Sequence, residues 1–224
     1  FETNVTNFFN VETFTEKGIS DETTGKITGE LDLSDSAMAY LSFSRGFKPG
    51  GSNLTFGFTE VEDAAAGRPL APALVFPTFD AETVDSIEFG LKTDLMDGRA
   101  RANIAAFSYT YENLQFQATD PDPYRGGVAN IPESEMSGLE IEFKGLLTDS
   151  LILDMNLSFL DSEVTSDYMV LDNVDAYQYF FGQEDLRYGL RENVKGNELA
   201  KSPEFSADIS LTYEAALASG SMFT

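Results

Sequence analysis

The feature that most constrains this chain is an alternation of apolar and polar residues sustained through residues 83–117. Ile87, Phe89 and Leu91 fall on one parity, and Ser86, Glu88, Gly90 and Lys92 fall on the other. Successive side chains of a strand point to opposite faces, so this stretch reads as a strand with one apolar and one charged face. Asp97-Gly98 predicts the turn that follows, because both central positions of a type I′ hairpin need positive φ. The return stretch sets Ala102, Ile104 and Ala106 against Arg101, Asn103 and Tyr109. Ordinary strands run about 5–6 residues, and both arms of this hairpin exceed that.

The pattern recurs along the chain. Residues 26–33 place Ile27, Gly29, Leu31 and Leu33 opposite Lys26, Thr28, Glu30 and Asp32. Residues 37–47 place Ala39, Leu41 and Phe43 opposite Tyr40, Ser42 and Ser44. Residues 134–147 set Leu139, Ile141 and Phe143 against Glu140, Glu142 and Lys144. Residues 151–162 and 202–214 alternate in the same way, and residues 1–14 read as a further strand. No amphipathic helix stands between them to cover the apolar faces. Short turns at Ser34, Asp97, Asp149 and Ala215 alternate with long connections over 48–82, 118–133 and 163–201. Two architectures accommodate strands of this kind. One is an antiparallel sandwich with one wet face per sheet. The other is a membrane barrel, with strands of about 9–11 residues or more, apolar side chains outward, short turns at one end and long loops at the other.

Composition removes several function classes. The 224 residues carry 14 Lys and Arg against 38 Asp and Glu, a net charge of −24. Nucleic acid is therefore not an expected partner, since phosphate binding needs a basic footprint. Cysteine and histidine are both absent, which removes disulfides, thiol nucleophiles, Ser-His-Asp triads and His- or Cys-ligated zinc. Mean hydropathy is −0.19, and no apolar run of about 18 residues suggests a spanning helix, a criterion that does not apply to barrels. No signal peptide is visible, and both ends fall within patterned sequence, so a segment of a longer protein is expected.

Candidate residues follow from position. Arg45 and Lys48 stand where a strand runs into the glycines Gly46, Gly50 and Gly51, and suit contact with phosphates at a membrane rim or simple solvation there. Glu88, Lys92, Glu140, Glu142 and Lys144 share the polar face. Glu140 and Glu142 lie about 6.5–7 Å apart along a strand, near the separation of glycosidase carboxylates, but similar pairs recur on every polar face here. Tyr177, Tyr179, Phe180 and Phe181 cluster in a long connection, either packing it on itself or meeting a ligand. Tyr109, Tyr111 and Tyr213 suit an interfacial aromatic girdle.

Several segments, in order, resemble one family. Residues 40–51, YLSFSRGFKPGG, resemble the YASYSRGFKAGG stretch of TonB-dependent outer-membrane receptors. Residues 82–92, ETVDSIEFGLK, are similar to that family's ETVDSYEVGLK, and DGRARAN at 97–103 with Ala105-Ala106-Phe107 is similar to its DGRLRLN..AAF. Residues 137–142, SGLEIE, resemble SxGxExE, and Ser202-Pro203-Glu204-Phe205 resembles a later strand entry. Periodicity alone would also suit a porin, and motif order separates the two.

The resemblance implies an all-β fold, an antiparallel transmembrane segment of a plugged barrel of about 22 strands. Residues 1–224 would form part of that barrel domain, without the plug domain or the last strands. It implies a non-enzymatic, cofactor-free transporter in the outer membrane of a Gram-negative bacterium, importing a scarce nutrient such as a ferric siderophore. Implied partners are the lipid bilayer and lipopolysaccharide, the receptor's own plug domain, the TonB complex through other regions, and the small-molecule ligand. Ligand or plug contacts are expected at Arg45, Lys48, Glu88, Lys92, Tyr124, Arg125, Glu140, Glu142 and Tyr177. The competing expectation is a binding or adhesin-like β-sheet protein that transports nothing.

Overall fold

The computed structural model describes residues 2–6, 13–17, 21–53, 78–120, 125–171, 191–216 and 222–223. Among the described residues all regular structure is β, in fifteen strands. The principal ones are β3 (Gly25–Ser34), β4 (Ala37–Lys48), β7 (Glu82–Leu95), β8 (Ala100–Asp120), β9 (Arg125–Thr148), β10 (Leu151–Val164) and β13 (Phe205–Tyr213). They form one antiparallel sheet in the order β13-β10-β9-β8-β7-β4-β3, a meander in which each strand pairs with its neighbours in sequence. Short pairs decorate it: β1 (Glu2–Thr6) with β2 (Thr13–Lys17), β5 (Gly51–Ser52) with β6 (Thr78–Phe79), β11 (Met169–Leu171) with β12 (Arg191–Asn193), and β14 (Ala215–Ala216) with β15 (Met222–Phe223).

Register converts the alternation into continuous rows. One row runs across all seven strands as Leu31, Ala39, Leu91, Ile104, Ile141, Leu157 and Ala207. The next runs Gly29, Leu41, Phe89, Ala106, Leu139, Phe159 and Phe205, with the rings of Phe159 and Phe205 5.1 Å apart. These side chains have no second layer to pack on: Ile27 is 76% exposed, Leu31 63% and Ile209 64%. A sandwich would bury that face. An apolar face of this extent, free of charge in mid-strand, fits a lipid solvent instead.

The structure revises the sequence reading in three places. Residues 1–14 are not one strand; β1 and β2 form a small hairpin. The turn between β7 and β8 takes positive φ at Met96 (53°) and Asp97 (55°), and the Gly98 N–H donates to Leu95 O at 3.1 Å. The type I′ centre is thus Met96-Asp97, one residue earlier than Asp97-Gly98, and Gly98 follows at φ 83°. Third, residues 118–133 are mostly strand. Pairing of β8 with β9 continues from Ala100↔Gly145 to Asp120↔Arg125, so only residues 121–124 separate the two. β9 is 24 residues long. At about 3.3 Å per residue it far exceeds a hydrocarbon core of about 30 Å, even when tilted, so the β8–β9 ribbon projects beyond the membrane on the long-loop side.

Candidate functional site

The polar face carries a chain of cross-strand contacts. Tyr40 on β4 donates its hydroxyl to Glu88 Oε1 on β7 at 2.6 Å. Its ring lies over Gly90, where any Cβ would collide with it, and Lys92 Nζ sits 5.3 Å from the ring centroid. Glu88 and Lys92 are thereby brought together through one tyrosine. Further across, Asn103 donates to Glu142 Oε2 at 2.9 Å, and Lys144 donates to Asp154 Oδ2 at 2.9 Å. Arg101 Nε donates to Asp94 Oδ1 at 2.8 Å nearer the short turns. Glu140 stands in register between Ala105 and Ser158. Glu140 and Glu142 both lie on an open, exposed face with no enclosed cleft between them, an arrangement for contact and not for glycoside chemistry.

Arg45 and Lys48 do not act together. They are three residues apart on β4 and so take opposite faces. Arg45 shares the parity of Leu41 and Phe43. It donates to Asp85 Oδ2 at 3.0 Å and lies 3.8 Å from Glu112 Oε2. Lys48 instead lines a concavity of about 800 Å³ at the outward end of the polar face.

That concavity was not foreseen in the sequence. Leu114, Phe116 and Ile131 of the β8–β9 ribbon form one wall with Tyr111 and Met136. Val164, Val170, Val194 and Leu199 form the other, and Lys48, Glu82, Glu198 and Lys201 add charge. The connection between β10 and β13 is held over the site by identifiable contacts. Tyr168 meets Phe116 edge-on, with centroids 5.6 Å apart. Val164 and Gly196 tie the chain back, through Val164 N–H to Asn197 O and Gly196 N–H to Val164 O, both 2.9 Å. Asn193 Nδ2 donates to Asp167 Oδ1 at 2.9 Å and Lys195 Nζ to Asp167 Oδ2 at 3.2 Å. These two donors, the amide first, hold the Asp167 carboxyl below the usual carboxylate range. The continued alternation of Leu114, Phe116 and Ala118 opposite Ala129 and Ile131 was the signal for the first wall.

Arg125 is described as the first residue of β9, opposite Asp120. Tyr124 and Tyr177 lie outside the described residues. No group of three or more acidic, His or Cys side chains among the described residues could hold a metal ion. What the lining of the concavity offers is shape, apolar contact and a few charges.

Comparison with known proteins gives a consistent neighbourhood. Residues 1–223 match the family model described as TonB dependent receptor-like, beta-barrel. The chain is 26% identical over 152 residues to the probable TonB-dependent siderophore receptor PiuA of Acinetobacter baumannii, covering 68% of this chain and 19% of that protein. It is 34% identical over 90 residues to the metal-pseudopaline receptor CntO of Pseudomonas aeruginosa, covering 40% of this chain and 12% of that one. Its fold is similar to the crystal structure of the ferric yersiniabactin uptake receptor FyuA from Yersinia pestis, with a TM-score of 0.62 at 16% identity, over 97% of this chain and 27% of that chain. The chain thus spans less than a third of the length of each.

Proposed function

Since the chain belongs to the TonB-dependent receptor β-barrel family, outer-membrane barrels of Gram-negative bacteria, we propose that it is part of the wall of an importer whose ligand is a metal carried by an organic chelator, a ferric siderophore foremost. The observation that carries the reading is the concavity at the outward end of the polar face, apolar in its walls and dotted with lysines and glutamates. With no His or Cys in the chain, this wall has neither imidazole nor thiolate to offer a bare metal ion. Two relatives are named for siderophore and metal-pseudopaline reception, which supports a ligand recognised by its organic surface.

In this reading residues 1–224 are one part of the barrel domain, and the plug domain and the contact with the TonB complex belong to other parts of the full receptor. Glu88, Lys92, Glu140 and Glu142 face the lumen and meet the plug. Lys48, with Tyr124, Arg125 and Tyr177 in or beside the external connections, serves the ligand. Arg45 faces the lipid side, where lipopolysaccharide is the neighbour. The driving force comes through the plug, so the wall itself needs no catalytic group.

Growth of a deletion strain under iron limitation, fed single ferric siderophores, tests the proposal. Loss of growth on one chelate, restored by the full-length gene, is the expected outcome. Unimpaired uptake of every chelate, with surface binding of one chelate lost, would point to the non-transporting reading.

A further inference from the structure

Where β4 ends, side-chain amides brace the backbone between the last β4–β7 pair, Lys48 with Glu82, and the short β5–β6 pair. Gln115 Nε2 shares its two hydrogens among three carbonyl oxygens: Lys48 O at 3.4 Å, Pro49 O at 3.0 Å and Asp80 O at 3.0 Å. Its own backbone N–H donates to Glu82 Oε2 at 2.7 Å. Asn130 adds a two-way bond to Asp80, accepting from its N–H at 2.8 Å and donating to its carbonyl at 3.1 Å. Asn53 makes the same two-way bond to Val128, at 2.8 and 2.7 Å. Each of the two asparagine amides imitates one rung of a ladder, with one donor and one acceptor. The fit is close: a Cβ on Gly50 would lie 2.6 Å from Phe79 O. The residues this clasp fixes on either side, Lys48 and Glu82, are two of the charged groups lining the concavity.

We propose that Gln115 is a positioning residue that sets Lys48 and Glu82 in the wall of the ligand site. The inference rests on the concavity being that site. Gln115 ties the end of β4 and the start of β7 to the β8–β9 ribbon. Without its donors, the carbonyls of Lys48, Pro49 and Asp80 each lose a partner, and the backbone from which Lys48 and Glu82 project is left to the β4–β7 pairing alone.

The test uses the full-length receptor in detergent. Gln115→Met removes the donors at similar size. Gln115→Glu turns a carboxylate toward three carbonyl oxygens and regains a single donor only when protonated. Ser108→Met, an exposed position of β8 outside the lining of the concavity, is the control. Hydrogen exchange of residues 48–52 and 78–82 reads local opening. Binding is read with ferric citrate, a ferric tris-catecholate and a ferric hydroxamate. Expected are at least tenfold faster exchange in the Met and Glu variants, recovery of the Glu variant alone as pH falls, and at least tenfold weaker binding of whichever chelate the wild type takes. Unchanged exchange in the Met variant overturns the clasp. Faster exchange with unchanged binding overturns the positioning role and leaves the proposed function intact. A wild type that binds none of the three chelates, yet shows the exchange pattern, defeats the ligand-site reading and the role with it.

Discussion

Tyr40 and Glu88, 48 residues apart in sequence, are joined by a 2.6 Å hydrogen bond across the β4–β7 pair. The bond exists because Gly90 leaves room for the tyrosine ring. Gly90 is therefore not a weak point in β7 but the socket of its neighbour's side chain. Gly90→Val should displace the ring and break the bond to Glu88. Tyr40→Phe keeps the ring and loses only the hydroxyl, at a cost of about 1–2 kcal/mol for a partly exposed bond to a charged group. Denaturant unfolding of the full-length barrel in micelles should rank wild type above Tyr40→Phe, with Gly90→Val lowest. Equal midpoints for wild type and Gly90→Val would refute the socket.

Arg45 illustrates how a plausible phosphate contact is spent within the sheet. Asp85 and Glu112 already surround it, and the Arg45 and Asp85 side chains are about two-fifths exposed. Arg45→Ala should cost under about 1 kcal/mol, as half-exposed ion pairs do. Lipopolysaccharide retained by the purified receptor should not change with Arg45→Ala. Asp85→Asn combined with Glu112→Gln, which removes both carboxylates from the guanidinium, should raise it. Phosphate assay of the detergent-washed protein reads both.

Strand parity was legible because one face must dissolve in lipid, and that demand is written at every second residue. Lys92 and Glu142 could be assigned to the polar face without coordinates for that reason. The ion pair of Arg45 with Asp85 was not legible. It depends on the register of β4 against β7, and the intervening connection does not fix register. The β8–β9 extension was hidden by Gly126, Gly127 and Pro132, which ordinarily punctuate loops. Pro132 is accommodated because the ladder passes from Glu112↔Glu133 to Leu114↔Ile131 without needing its missing N–H, and Asn113 opposite it adopts φ 56°. The concavity was lost with the ribbon that forms its first wall. Its second wall comes from residues 164–170 and 194–202, which carry no period to read.

The two faces of the sheet predict opposite responses to the same substitution. Ile141 lies in the central apolar row, flanked by Ile104 and Leu157. Ser158 lies on the polar face beside Glu140. Ile141→Lys should destabilise the barrel in a bilayer by about 2–4 kcal/mol, the penalty for a lysine near the midplane of a barrel's lipid face. Ser158→Lys should be close to neutral, since it brings a cation to a carboxylate in a polar lumen. Folding titrations in phospholipid vesicles measure both. Equal penalties would contradict the assignment of faces.

The Asp167 clip should make the roof of the concavity sensitive to acid. Its carboxyl is held below its ordinary value of 3.8 by the Asn193 amide and Lys195. A group whose folded value is depressed contributes stability above its unfolded value and loses it as pH falls through the folded one. The β11–β12 pair should therefore be fully held at neutral pH and down to about 3.8, then loosen below that as Asp167 gains a proton. Asp167→Asn keeps the shape but removes the titrating group, and Lys195 loses its charge partner. That variant should show an already loosened β11–β12 pair at neutral pH and no further change on acidification. Hydrogen exchange at residues 169–171 and 191–193, followed from neutral to acid pH, distinguishes the cases. An identical acid response in wild type and Asp167→Asn would assign the sensitivity to another carboxylate.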